Sequence, residues 1–165
     1  MNVVIVFAIL GVLLFAGAFL TKRRFGLLGL ALSAGAVLST IWDTTAGIFV
    51  SMTGLVPKGP LTDAVTLSLL VLLPPLVLLL HGATYKTMLP RVIGSLLFAV
   101  LALAFLVVPL GHALQLSGFG ADAYTWLDTN RDLIISAGIV LAVIDLFTTK
   151  PVSHLEKKAG KASRH

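Results

Sequence analysis

Long runs of Leu, Val, Ala, Phe and Gly divide the chain into five apolar segments, separated by short polar stretches. The runs lack the regular polar positions that mark a helix facing water on one side. A helix that crosses a bilayer needs ~20 predominantly apolar residues. The pattern therefore predicts five membrane-spanning helices, at residues 3–20, 25–42, 61–80, 92–110 and 130–147.

The composition assigns the chain to the membrane class. Hydrophobic residues make up 58% of the 165 positions, charged residues only 12%, and the mean hydropathy is +1.03. Soluble domains carry about 25% charged residues. We therefore expect an all-α fold, a polytopic transmembrane helix bundle solvated by lipid. The absence of cysteine excludes disulfides, thiolate metal sites and thiol catalysis.

The positions of the basic residues predict the orientation in the membrane. With five spans, ten of the twelve Lys and Arg residues fall on one side, which the positive-inside rule assigns to the cytoplasm. The N-terminus is then outside and the C-terminus inside. The transmembrane domain covers residues 1–149, and residues 150–165 form a basic cytoplasmic tail drawn to anionic headgroups. The basic anchors between spans are Lys22, Arg23, Arg24, Lys86 and Arg91.

Aromatic residues agree with this topology. Trp42, Tyr124 and Trp126 fall at the predicted outer interface and Tyr85 at the inner one, where amphipathic rings concentrate. A signal peptide is the alternative for the first span, since Ala16-Gly17-Ala18 resembles a cleavage site. The basic cluster follows the apolar run instead of preceding it, which favours a membrane span.

Asp43 interrupts the apolar sequence "STIWDTTAG". It lies nineteen residues after Arg24, roughly 28 Å along a helix, which places it at the outer interface. Asp is a favoured N-cap, so we expect it to end the span and cap a short amphipathic segment at residues 43–56. A carboxylate facing a polar cavity is the alternative, and the segment could also be re-entrant.

Two further features allow a functional and a structural interpretation. Pro74 and Pro75 free two backbone carbonyls at membrane depth. Transporters use such broken helices as sites, whereas a kink satisfied by neighbouring helices is the simpler interpretation. Asp145 lies within about one turn of Lys150. We expect an interfacial pair or snorkelling to water there, rather than a proton relay.

Small residues recur at four-residue spacing in the second and fifth predicted spans. Such faces let helices approach closely, so we expect packing within the chain, with self-association or other membrane proteins as further partners. No catalytic pair, cofactor-binding loop, metal-ligand spacing or nucleic-acid-binding pattern stands out. His81 and His112 lie at opposite ends of neighbouring spans, too far apart for one metal ion.

The layout of residues 1–110 resembles the CvpA (colicin V production) family of small inner-membrane proteins. A basic turn leads directly into the second span in "FLTKRRFGLLGLAL", and another enters a glycine-bearing fourth span in "YKTMLPRVIGSLLFAVLALAFLV". The fifth span and the basic tail depart from that family's four-span form. The resemblance implies a non-enzymatic envelope or export-associated protein of the bacterial cytoplasmic membrane.

Two functions remain open from the sequence. The first is a non-catalytic membrane subunit, scaffold or envelope-associated factor, because no polar constellation lies within the bilayer. The second is a small transporter or channel subunit built on the Pro74-Pro75 break, with Asp43 and Asp145 as charged participants. An intramembrane enzyme is disfavoured because no reactive group has a partner at suitable spacing.

Overall fold

The computed structural model describes residues 3–52, 59–80, 85, 87–111 and 119–148, and all its regular elements there are α-helices. This confirms the all-α prediction. Within the described part, three helices are long and apolar enough to cross a membrane, and a shorter apolar stretch covers Ile5–Thr21. The five helices are α1 (Val3–Thr21), α2 (Phe25–Met52), α3 (Pro60–Leu80), α4 (Met88–Gly111) and α5 (Phe119–Phe147).

Helix α2 continues through Asp43 to Met52, so the prediction that Asp43 ends a helix and caps the next one was wrong. One Asp in a helix interior costs at most ~0.7 kcal/mol relative to Ala. It can therefore end an apolar run without ending the helix. The 28 residues of α2 extend about 42 Å, beyond the ~30 Å of a hydrocarbon core. Residues 53–56 of the predicted amphipathic segment lie outside the described residues.

Helix α5 also extends beyond its apolar part. It begins at Phe119, so the polar sequence that precedes the predicted fifth span at residue 130 is helical. The Asn130 side chain donates to the Trp126 carbonyl at 2.7 Å, one turn back. Asp122 lies in the first turn, where a carboxylate is favoured by the helix dipole.

Helix α3 runs unbroken through Pro74 and Pro75, so the broken helix of the alternative, functional interpretation is not formed. Pro75 lacks an N–H and cannot bond the Val71 carbonyl one turn back. That carbonyl lies against Gly35 of α2, where a Cβ atom would collide with it. Val71 and Pro75 are both buried. The freed carbonyl is therefore packed against a neighbouring helix, which agrees with the structural interpretation of the proline pair.

Helix α4 is the centre of the bundle and packs against all four other helices, while α2 packs most extensively against α3. Gly29 lies against Ala142, and Gly138 against Leu101, so the small-residue faces of α2 and α5 are filled from within the chain. Small side chains make up much of the interior beside larger ones such as Phe25 and Phe98, and the buried alanines are Ala18, Ala31, Ala64, Ala99, Ala102, Ala104 and Ala142.

The outer surface of the bundle is apolar on every helix. Large aliphatic side chains point outwards from α1 to α5, among them Ile9, Val37, Leu69, Ile93 and Leu133. A water-soluble bundle exposes only limited apolar patches. Small residues inside and large aliphatic residues outside are typical of helices that pack in lipid. The surface is therefore that of an integral membrane protein.

Candidate functional site at the basic end

Five helix termini meet at one end of the bundle: the C-termini of α1, α3 and α5 and the N-termini of α2 and α4. Hydrogen bonds between residues far apart in sequence join them. We call this region the basic end and define it by Lys22, Arg23, Arg24, Tyr85, Arg91 and Asp145. Four of the five basic anchors predicted from the sequence lie here, and Lys86 lies outside the described residues.

Two arginines close the C-termini of neighbouring helices. Arg23 donates from Nε to the Leu79 carbonyl at 2.9 Å and from Nη2 to the Leu80 carbonyl at 2.7 Å. Arg91 donates from Nε to the Phe19 carbonyl at 2.6 Å, and its guanidinium lies 3.9 Å from the centre of the Phe19 ring. The last carbonyls of a helix lack intrahelical partners and carry partial negative charge. Both arginines therefore act as helix caps supplied from another helix or turn.

The turn between α1 and α2 is fixed by its backbone. Lys22 has φ of 58°, in the left-handed region that non-glycine residues rarely adopt outside helix ends and turns. Its N–H donates to the Phe19 carbonyl at 3.3 Å, and its carbonyl accepts from the Tyr85 N–H at 2.8 Å. The turn is thereby bonded to the segment that joins α3 to α4, and the exposed Lys22 side chain is held at the bundle end.

Tyr85, which lies between α3 and α4, links helices α2 and α5 through its hydroxyl group. The hydroxyl accepts from the Phe25 N–H at 3.1 Å and donates to the Asp145 carboxylate. Asp145 Oδ2 accepts from the Gly26 N–H at 2.9 Å. Two otherwise unpaired donors at the start of α2 are thus capped by side chains distant in sequence. The Arg24 guanidinium lies 5.5 Å from the centre of the Tyr85 ring.

The surroundings of Tyr85 favour its protonated form. Burial, and to a smaller extent the Asp145 charge and hydrogen bond, raises the pKa of the phenol above its ordinary value of 10.0. Tyr85 therefore stays a neutral donor at physiological pH. Asp145 also caps α2, a role that the sequence did not predict. The expected pairing partner, Lys150, lies outside the described residues.

Two glycines leave the space that the contacts around Tyr85 and the start of α2 require. A Cβ atom on Gly26 would lie 2.6 Å from the Ala142 carbonyl oxygen, and one on Gly94 would lie 2.7 Å from Tyr85 Oη. Both distances are shorter than real Cβ contacts allow. Helix α2 can therefore approach α5, and Tyr85 can approach α4, only because these two positions have no side chain.

Two openings adjoin Tyr85. A groove of about 320 Å³ runs between α4 and α5 and is mostly apolar, with Tyr85 and Asp145 at its inner edge. A smaller recess of about 190 Å³ lies on the other side of Tyr85. The groove is lined by Leu89, Ile93, Leu97, Leu141 and Ile144 among others, and the recess by Lys22, Tyr85, Thr87, Met88 and Arg91.

The opposite end of the bundle has a different character. A recess of about 420 Å³ lies between α2, α3, α4 and α5, with Ser39, Thr40, Arg131 and Asp132 among its polar lining residues. The charges there pair locally: Arg131 Nε lies 3.3 Å from Asp132 and 3.9 Å from Asp128, with all three side chains at least one-third exposed. We name this opening the outer recess.

The remaining predicted residues are dispersed. Asp43 lies within α2, far along the helix from the basic end, while Trp42 and Trp126 are exposed on α2 and α5. The residues on which the basic end depends most, Tyr85 and Gly26, were not predicted as site residues. The only sequence signal for Tyr85 was an aromatic ring within a basic connection. Among the described residues no group of three or more His, Asp or Glu side chains forms a metal site.

Comparison of the chain with protein-family models, with curated proteins and with solved structures finds no significant match to any of them.

Proposed function

We propose that this protein is a non-catalytic integral membrane protein of CvpA-like type, acting as a subunit, scaffold or envelope- and export-associated factor in a bacterial cytoplasmic membrane. The proposal rests on one observation, the contacts that the charged residues make. At the basic end, Arg23, Arg91 and Asp145 each bond backbone groups of another helix. Charged side chains used to hold helix ends together support a structural role better than a chemical one.

We further propose five membrane crossings, with the N-terminus outside and the C-terminus inside. Consecutive described helices alternate in direction, since their contacts bring the ends of α1, α3 and α5 to the starts of α2 and α4. The 19 residues of α1 extend about 28 Å, close to the ~30 Å of a hydrocarbon core. The clustered cations favour the cytoplasmic side for the basic end.

Partners of this protein are membrane proteins or further copies of the chain, and they bind to its outer faces. The small-residue faces of α2 and α5 are already filled by neighbouring helices. Helix α1 packs chiefly against α4, which leaves Ile5, Ile9, Val12 and Leu13 exposed. This outward side of α1 is the best-supported surface for a partner, because close packing can drive association in lipid.

Gentle extraction from the native membrane, followed by mass spectrometry, tests the subunit role. A stoichiometric partner supports it, and its loss in an Ile9→Trp, Leu13→Trp variant would assign the surface to α1. Leu133→Trp on α5 is the matched control, since Leu133 is equally exposed but on another helix. A chain that extracts alone contradicts the subunit role. Reporters fused to each terminus test the topology separately, and a C-terminus found outside contradicts five spans.

A transporter or channel subunit is the second candidate, and the outer recess is the observation that favours it. Its volume is about 420 Å³, and Ser39, Thr40 and Asp132 place polar side chains in its otherwise mostly apolar lining. Flux into liposomes tests this function directly. Ile135→Trp should fill the recess and lower flux, whereas Leu133→Trp, on the exposed side of the same helix, should not. Flux that is insensitive to Ile135→Trp excludes this route.

A further inference from the structure

We propose that the basic end binds one anionic phospholipid, with its phosphate in the recess beside Lys22 and Arg91 and the upper part of an acyl chain in the groove between α4 and α5. The proposal rests on the membrane placement given above and adds a ligand to it. The two openings share Tyr85 as a common wall, so one molecule can occupy both.

The recess has the chemistry that a phosphate group requires. Lys22 and Thr87 are exposed and contribute an ammonium group and a hydroxyl group. Arg91 uses its Nε–H on the Phe19 carbonyl and one Nη1–H on Met88 Sδ at 3.8 Å, which leaves three of its five N–H donors. Among the described residues, Lys22 takes part in no ion pair. Two cations without a facing carboxylate in the recess make an anion the complementary ligand.

Asp145 does not oppose an anion in this position. It lines the groove and not the recess, and its carboxylate already accepts from the Gly26 N–H and from the Tyr85 hydroxyl. The neighbouring cations Arg23 and Arg24 add to the positive potential of the same bundle end. The charge balance at the recess is therefore positive.

The groove explains why the ligand is a lipid and not a soluble anion. Its lining is apolar, and Leu89, Ile93 and Ile144 are also exposed on the outer surface of the bundle, so the groove opens towards lipid. Tyr85 lies at the junction, with a polar hydroxyl group and an apolar ring, as interfacial aromatic residues do. A polar recess that adjoins an apolar groove across Tyr85 matches a phospholipid with its headgroup and acyl chain.

Native mass spectrometry of the purified full chain tests the proposal, after exchange into bicelles of phosphatidylcholine with 20% phosphatidylglycerol as the probe. An alkaline wash of the membranes comes first. A chain that is released by the wash refutes the membrane placement itself, which separates that failure from failure of the lipid site. From the intact protein we expect one retained phosphatidylglycerol in preference to phosphatidylcholine.

Two pairs of variants separate the headgroup from the chain. Lys22→Asn removes the charge but keeps a residue that tolerates the left-handed backbone, and it should weaken retention about fivefold, as one basic residue at an anionic surface does. Lys22→Arg should retain the lipid. Ile93→Trp fills the groove and should reduce retention, whereas Leu96→Trp, exposed elsewhere on α4, should not.

Three results overturn the proposal. They are equal retention of the two lipids, full retention of phosphatidylglycerol by Lys22→Asn and Ile93→Trp, and displacement of the lipid by millimolar inorganic phosphate. The last result would mean that the recess binds the phosphate group alone and that the groove contributes nothing.

Discussion

The two ends of the bundle are held together in different ways. At the basic end, side chains bond backbone groups 56 to 119 residues away in the chain. At the opposite end, the described polar contacts of α5 are local, such as Thr125 to Ala121 and Ser136 to Asp132, each one turn back. Among the described contacts between helices there, Phe7 and Tyr124 make an edge-to-face pair with ring centres 6.5 Å apart, and Tyr124 also lies against Gly111 of α4.

This difference indicates at which end the relative positions of the helices are fixed and at which end they can change. Long-range hydrogen bonds fix the relative positions of helix ends, and they are strong where the donor or acceptor is charged. Local bonds stabilise one helix without positioning its neighbours. The end with local bonds also has the larger opening, the outer recess. We therefore expect substitutions at the basic end to cost more than equivalent substitutions at the other end.

The largest difference in stability between the two ends should come from substitutions of two glycines. Gly26→Ala places a methyl group 2.6 Å from the Ala142 carbonyl oxygen, and backbone atoms yield less readily than side-chain ends. We expect a loss of about 3 kcal/mol, the upper range for overpacking. Gly59→Ala at the other end meets no atom within 4 Å and should change stability by less than ~0.5 kcal/mol. Unfolding by SDS in mixed micelles measures the change in unfolding free energy for both variants. Equal losses would contradict a difference in stability between the two ends.

The next largest difference in stability should come from substitutions of two arginines. Arg91→Ala removes a charge-assisted bond to the Phe19 carbonyl and the contact with the Phe19 ring. The expected cost is about 2 kcal/mol. Arg131→Ala removes only exposed pairs with Asp128 and Asp132, and should cost ~0.2–1 kcal/mol. The same SDS titration decides, and an Arg131 effect as large as that of Arg91 would show that the outer end is equally dependent on charge.

Two aspartates give a smaller contrast. Asp145→Asn keeps an oxygen that can accept from the Gly26 N–H but removes the charge at the start of α2. We expect a loss of about 1 kcal/mol, from the helix dipole and the weaker hydrogen bond. Asp132→Asn, which pairs with Arg131 at the surface, should be nearly neutral. A neutral Asp145→Asn would mean that the cap on α2 contributes nothing.

The smallest expected effect is spectroscopic and concerns Tyr85, one of two tyrosines in the chain. In a Tyr124→Phe background, ultraviolet titration should give a pKa above 10.0, mainly because the phenol is buried. The raised pKa means that the phenol's contribution to stability is complete below pH 10 and is lost as pH rises through the raised value. Asp145→Asn should lower this pKa, and Asp132→Asn should leave it unchanged. An unchanged pKa in Asp145→Asn would exclude the Tyr85–Asp145 interaction.

The sequence predicted the helices far better than their contacts. Apolar runs located the five helices, and the positions of Arg23 and Arg91 at helix ends followed from charge alone. Hydropathy could not detect that α2 and α5 continue through polar residues, because helix formation tolerates Asp43 and Asn130 while a lipid environment does not favour them. Hydropathy therefore measures the length of the apolar part of a helix and not the length of the whole helix.

The contacts at the basic end could not be predicted from the local sequence pattern. The Asp145 carboxylate meets Gly26 across 119 residues, and the Tyr85 hydroxyl meets Phe25 across 60. Such pairs depend on how α2, α4 and α5 pack, which is decided by close contacts at glycine and alanine. Small residues at four-residue spacing indicated that close contacts would form, but they did not indicate with which helix.

The packing of α1 has a consequence for synthesis. Only Lys22, Arg23 and Arg24 separate α1 from α2, yet among the described residues α1 packs chiefly against α4. Helices α2 and α3 can pair as soon as both have been translated, whereas α1 must wait for a partner more than sixty residues later in the chain. A nascent chain that stops before Met88 therefore holds a paired hairpin and one helix without its main partner. In the order of assembly, α4 is the element that supplies α1 with its main partner, before α5 is added.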